Sequence, residues 1–223
     1  MNNSFDVEEA MVFEKPTAGG KLFSIFFSWV FHPVFIPLYI TMFLLYIHPD
    51  AFAGFSAMAK KQTLLIVVLN LIAFPVISVL LLKALGFIDS FFLRTRKDRI
   101  IPYIASGIFF FWAYTVFRQQ PQYPLLFTAY VFGIFLASSA ALLANIYFKV
   151  SMHAIGLGGL LGFFLILLFH QSMLMSWPLS LALLITGLVC TARLVGGHHQ
   201  PFDIYAGLLI GVLTQLIASW VLV

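Results

Sequence analysis

The sequence predicts an all-α protein, a polytopic transmembrane helix bundle of about six to seven spans, and three observations lead there. Only 9% of the residues are charged while 62% are hydrophobic, against about 25% charged in a soluble domain. Mean hydropathy is +1.03. The apolar stretches are continuous rather than alternating, and approach the roughly 20 residues that carry a helix across a bilayer, the opposite of the β-barrel pattern. A single cysteine, Cys190, lies inside one of these stretches and rules out an intrachain disulfide.

The first 21 residues carry Asp6, Glu8, Glu9 and Glu14. They lack the basic start and apolar core of a signal peptide and read as a polar tail. The remainder, 22–223, reads as one transmembrane helical domain. Its first apolar segment is 22–47, broken at His32, Pro33 and Pro37, and its second is 63–85, with Pro75 inside it. A basic stretch from Phe91 to Arg99 follows. The third segment, 102–117, is short for a span. The fourth is 125–148, the fifth 153–169, the sixth 177–192 and the seventh 202–223. Gly158 and Gly162 are four apart, as are Gly207 and Gly211. That spacing suits close packing of membrane helices better than it suits a ligand.

Three polar junctions interrupt the apolar pattern. One precedes segment three, one precedes segment five and one precedes segment seven. Each is two spans from the next, so all three fall on the same side of the bilayer and are free to converge. Ionisable groups at membrane depth cost about 2.5–3.5 kcal/mol for Arg or Asp on insertion scales, so such clusters mark function.

The junction Arg193–Asp203 is the most informative. Pro201 suits the first turn of a helix. A helix starting there puts His199 and Asp203 one turn apart on one face. Asp203 then accepts from one ring nitrogen of His199 and leaves the other for chemistry. Arg193 closes the preceding segment, and Gly196 and Gly197 let the connection turn tightly. His198 points away from its neighbour and reads as structural. The second junction supplies Lys149, Ser151 and His153: Ser151 suits the cap of segment five and His153 an acid at that helix start. The first supplies Arg94, Arg96, Lys97, Asp98 and Arg99, a set of cations suited to phosphate or to anchoring at the positive side of a membrane. His32 reads as a helix-kink residue within reach of the polar site.

These spacings resemble the type 2 phosphatidic acid phosphatase superfamily, which includes lipid phosphatases and vanadium haloperoxidases. Arg193, five residues, His199, three residues and Asp203 match its third signature, with Ala192 in place of a serine. Val150-Ser151-Met152-His153 resembles the second, Pro-Ser-Gly-His. Anchored on Pro102, the first signature places Arg94 at its lysine and Ile101 at its arginine, with Lys97 or Arg99 able to supply the missing charge from a shifted position. The resemblance covers about residues 94–215. It implies that His199 attacks phosphorus and becomes a phosphohistidine, that Asp203 orients it, and that His153 protonates the leaving oxygen. Arg193, Ser151 and Arg94 would hold the phosphoryl oxygens. No metal or other cofactor is expected, because arginines take the place of one. The partners implied are a lipid phosphate substrate and the bilayer itself, with no role for nucleic acid.

The substrate class that follows is a lipid phosphate monoester or a polyprenyl pyrophosphate. A rival reading is a non-catalytic lipid-phosphate binding or transport protein that keeps the anion site, which the prolines within the spans would suit. Lysine and arginine are richer on the motif side, but the excess lies in the junctions themselves, so the charge count leaves the membrane face open.

Overall fold

A computed structural model describes residues 17–223 apart from 49, 89, 91, 92, 94, 171–175 and 198. Residues 1–16 of the expected polar tail therefore lie outside the described residues, as do Arg94 and His198, while the last four residues of that tail, 18–21, belong to the first helix. The elements are α1 (Ala18–Val30), a 3-10 turn (Pro33–Phe35) and α2 (Ile36–Met42) running into a π-helical turn (Phe43–Ile47). Next come α3 (Ala57–Val67), a second π-helical turn (Val68–Ala73) and α4 (Phe74–Ala84). They are followed by α5 (Arg96–Arg118), α6 (Leu125–Tyr147), α7 (Met152–His170), α8 (Ser176–Val195) and α9 (Pro201–Leu222). Among the described residues, 7 helical stretches are long and apolar enough to cross a membrane. The all-α bundle that the composition predicts is the fold observed, and it fits a multi-pass integral membrane protein.

Local chemistry sets the ends. Thr17 accepts from the Gly20 amide at 3.2 Å, and Ser56 from Ala59 at 3.2 Å, so α1 and α3 begin before the apolar runs do. The largest shift is at α5. Thr95 and Asp98 form a reciprocal capping box, with each side chain accepting from the other's amide at 3.1 and 3.3 Å. The cap draws Arg96, Lys97, Asp98 and Arg99 into the first turn of the helix, and Pro102 lies inside it rather than at its start. The π-helical turn ending at Ala73 comes just before Pro75, where the missing amide interrupts the regular ladder.

The bundle is held in part by backbone proximity. α7 packs on α9 and α8, α6 on α5 and α9, α4 on α5, and α1 on α8. Along the α7–α9 seam, a Cβ added at Gly158 would overlap the Leu208 carbonyl, and one at Gly211 would overlap that of Ile155. A Cβ on Gly207 would lie 2.9 Å from the Ser151 carbonyl oxygen, and one on Gly162 3.0 Å from that of Val212. The glycine spacing read from the sequence is thus a main-chain contact surface. Val67, Phe117, Val131, Phe163 and Leu167 are fully enclosed. Ile101, Ile104, Ile108 and Trp112 of α5 face outward, as a lipid-facing helix requires.

Two substitutions check this seam. Gly158→Ala or Gly211→Ala should lower stability in detergent by about 1–3 kcal/mol, the usual cost of overpacking, seen as an earlier thermal midpoint. Gly187→Ala, where an added Cβ meets nothing within 4 Å, should leave the midpoint unchanged.

Candidate active site

The first turn of α9 supplies the central pair. Gly197 takes φ 64°, a left-handed conformation open to glycine, and lets the chain leave α8 at once. Pro201 opens α9. Nδ1 of His199 then lies 3.4 Å from Oδ2 of Asp203, one turn on. The same carboxylate oxygen accepts from the Gln200 amide at 3.2 Å, so Asp203 caps the helix while lying beside the ring. His199 is only 7% exposed.

The start of α7 is stitched to this turn. The Ser151 amide donates to the Asp203 carbonyl oxygen at 3.2 Å. Ser151 is fully buried, and its hydroxyl accepts from the Ala154 amide at 3.4 Å, capping α7. His153 lies in the first turn of that helix. Its Nε2 sits 3.1 Å from the carbonyl oxygen of Ser28 in α1. A carbonyl can only accept, so this nitrogen carries the proton. His153 also lies within electrostatic range of Arg193, His32 and His199.

The α5 start contributes unequally. Arg99 is 5% exposed and spans two junctions, donating through Nε to Leu93 at 3.0 Å and through Nη1 to Val150 at 2.8 Å. Leu93 holds φ 48°, rare for a residue with a side chain, while its carbonyl meets Arg99. Arg96 donates to the carbonyls of Ile146 and Tyr147, both at 3.0 Å, while Asn145 donates back to the Arg96 carbonyl at 2.8 Å. This clamp joins α5 to the end of α6. Lys97 is exposed, and no hydrogen bond or ion pair among the described residues joins it to the group.

Arg193 ends α8 half-buried. Its Nη1 donates to the Ser28 hydroxyl at 3.2 Å, while its Nε is buried without a hydrogen-bond partner among the described residues. Ser28 was not visible as a site residue in the sequence. The polar interruption Ser28…His32-Pro33 in an otherwise apolar segment was the signal available. His32 does reach the group: its ring meets that of His153 edge-on at 5.2 Å.

Lys149 joins them. It sits within electrostatic range of Arg99, Asp203 and Arg193. Partial burial, then the Arg99 and Arg193 guanidiniums, hold its ammonium below the usual lysine range, with Asp203 opposing. Three cations thus gather around one carboxylate that already serves His199. Such an arrangement is suited to an anion.

The PAP2 superfamily model matches residues 100–223, so the chain belongs to the PAP2 superfamily. The match takes in Ser151, His153, Arg193, His199 and Asp203, and excludes α1 to α4. No individual curated protein and no solved structure matches the chain. Membership supports phosphatase-type hydrolysis of phosphate esters, and the polar helix ends are where the chemistry of that class would reside.

Lys149 offers a pH test. Its free-state pKa is lowered, and a bound anion favours the ammonium, so binding raises that pKa. Affinity should therefore be greatest while Lys149 is protonated, and fall as pH rises through the free-state value towards the bound one. Titration calorimetry with inorganic phosphate at a series of pH values below the ordinary lysine pKa of about 10.4 should show this decline. Lys149→Gln should bind more weakly and flatten the profile.

Proposed function

We propose that the protein hydrolyses an amphiphilic phosphate, either a lipid phosphate monoester or a polyprenyl pyrophosphate, through a phosphohistidine on His199. The observation that carries this reading is the buried His199–Asp203 pair placed among Arg99, Arg193 and Lys149. Asp203 engages Nδ1, so the nucleophilic role falls to Nε2. Asp203 fixes the tautomer and stabilises the imidazolium character that develops on attack.

Nε2 attacks phosphorus while the bond to the leaving oxygen breaks, and His153 gives that oxygen a proton. A water molecule then attacks phosphorus, forming the new phosphorus–oxygen bond as the phosphorus–nitrogen bond breaks. His153 takes the water's proton, inorganic phosphate departs and His199 is restored. Arg193 and Arg99, with Lys149 beside them, would stabilise charge on the equatorial oxygens, the dominant demand of phosphoryl transfer. Ser151 supplies a hydroxyl at the start of α7. Arg94 and Lys97 remain proposed contributors to phosphate binding, Lys97 from its exposed position at the rim.

The chemistry lies at helix ends, while the same helices carry outward apolar faces. A substrate with a phosphate head and a hydrocarbon tail would satisfy both. This supports a lipid-like substrate and leaves the headgroup to experiment.

Purified protein should release phosphate from phosphatidate or a polyprenyl pyrophosphate. His199→Ala should lower release by about a thousandfold or more, and Asp203→Asn by about tenfold to a hundredfold or more. Radiolabelled substrate should leave label on wild-type protein but not on His199→Ala. Release that survives His199→Ala would sink the mechanism. Retained lipid-phosphate binding without release in the wild type would instead identify a binding or transport protein.

A further inference from the structure

The end of α1 approaches the site from outside the family-matched region. Pro33 disfavours helical backbone at the residue before it, and His32 accordingly takes φ −62°, ψ 135°. The helix ends at Val30. In an uninterrupted helix the His32 amide would donate to Ser28. Here it donates to Trp29 at 3.4 Å. The break therefore releases the Ser28 carbonyl from helix pairing, and a buried unpaired carbonyl is costly. His153 Nε2 meets it at 3.1 Å. The Val30 carbonyl is met by the Tyr39 hydroxyl at 2.7 Å. The Ser28 hydroxyl, on the same residue, accepts from Arg193.

We propose that Ser28 is a positioning residue for the phosphoryl-transfer site. Its carbonyl, released by the break at Pro33, fixes the ring of His153, and its hydroxyl fixes the guanidinium of Arg193. The proposal rests on the reading of His153 as the acid. Ser28 does for His153 what Asp203 does for His199, with one chemical difference. A neutral carbonyl orients a ring without stabilising its imidazolium form as strongly as a carboxylate would, which suits a ring that must give up a proton from its other nitrogen. With Nε2–H committed to Ser28, the proton for the leaving oxygen comes from Nδ1. Donation converts the imidazolium to the neutral Nε2–H tautomer, the form that Ser28 already binds. The ring need not turn over between the two steps. His32, edge-on to His153 and with its own Nδ1 accepting from the Val34 amide at 3.4 Å, packs against that orientation.

Pro33→Ala tests the carbonyl, because it lets the helix continue and the His32 amide reclaim Ser28. Nitrogen NMR of histidine-labelled protein in detergent, with His153 assigned by its own substitution, should show a fixed Nε2–H tautomer in the wild type. In folded Pro33→Ala the tautomers should mix. Turnover should separate by leaving group: kcat on an alkyl phosphate should fall about 10- to 100-fold, part of the 10²–10⁴ that a general acid contributes. kcat on 4-nitrophenyl phosphate, whose leaving group needs no acid, should change by less than about threefold. Ser28→Ala tests the hydroxyl. It should raise KM about three- to tenfold, the net worth of one typical hydrogen bond, with Ser28→Thr restoring it.

An Nδ1–H or mixed tautomer in the wild type overturns the proposal, even if Pro33→Ala does not fold. So does a folded Pro33→Ala with an unchanged His153 tautomer, or an equal loss on both substrates. A lower KM in Ser28→Ala would mean that the hydroxyl merely occupies the phosphate's place, and would overturn that half. Wild-type protein with the Nε2–H tautomer, disturbed by Pro33→Ala but releasing no phosphate, would uphold the positioning of His153 and remove the phosphatase reading.

Discussion

Three arginines described at the polar end of this bundle are held by neutral oxygens. Arg99 rests on the carbonyls of Leu93 and Val150, Arg96 on those of Ile146 and Tyr147, and Arg193 on the Ser28 hydroxyl. At membrane depth a guanidinium must be satisfied, and the usual partner is a carboxylate. A carbonyl or hydroxyl satisfies its donors while leaving its charge uncancelled. The positive potential then persists for an anion, and after partial burial it is Arg99 and Arg193 that hold the Lys149 ammonium below the usual lysine range. Arg193 keeps a buried Nε with no hydrogen-bond partner among the described residues, a donor available to a ligand. Among the described residues of the group, the carboxylates of Asp98 and Asp203 are each committed to a helix cap, and Asp203 also lies beside His199.

Such an arrangement requires main-chain oxygens at fixed places, and these come from helix ends. The glycine seam between α7 and α9 sets their register. With Gly207 against Ser151 and Gly211 against Ile155, the first turns of the two helices lie close enough for the Ser151 amide to reach the Asp203 carbonyl. A side chain at either glycine would part them at the level where His153 and His199 begin. Packing within the apolar bundle and geometry at its polar end are therefore one constraint. The stability test at Gly158 and the chemistry at His199 both depend on it.

Much of the fold was legible because the bilayer leaves few alternatives. Continuous apolar runs in a chain with almost no charge read as spans, and the glycine pairs read as a packing surface. Within the site, His199 and Asp203 were legible because a helix start at Pro201 fixes their separation. The convergence of the three junctions followed from counting spans. The α5 boundary was misplaced because the apolar pattern begins at Pro102, whereas the helix begins where Thr95 and Asp98 cap it. That shift matters for the cations. On a loop, Arg96, Lys97 and Arg99 look interchangeable. On a helix their directions differ, so Arg99 turns inward, Arg96 clamps α6 and Lys97 faces out.

Ser28 was illegible for a different reason. A family pattern records side chains whose chemistry is irreplaceable, and the group that meets His153 is a carbonyl, which every residue carries. What the chain must specify is the release of that carbonyl from its own helix, and a proline five residues later is enough. The break also explains why an apparently apolar first segment carries Ser28 and His32, both of which meet partners in α7 or α8. The region matched by the family model supplies most of the groups proposed to touch phosphorus or its oxygens. The region before it adds Arg94, Lys97 and Arg99 and, from Ser28, a neutral acceptor that sets the direction of His153. Mutational tolerance should differ accordingly, since Asp203 acts through its carboxylate, whereas the carbonyl of residue 28 survives any side-chain change that leaves the break at Pro33 intact.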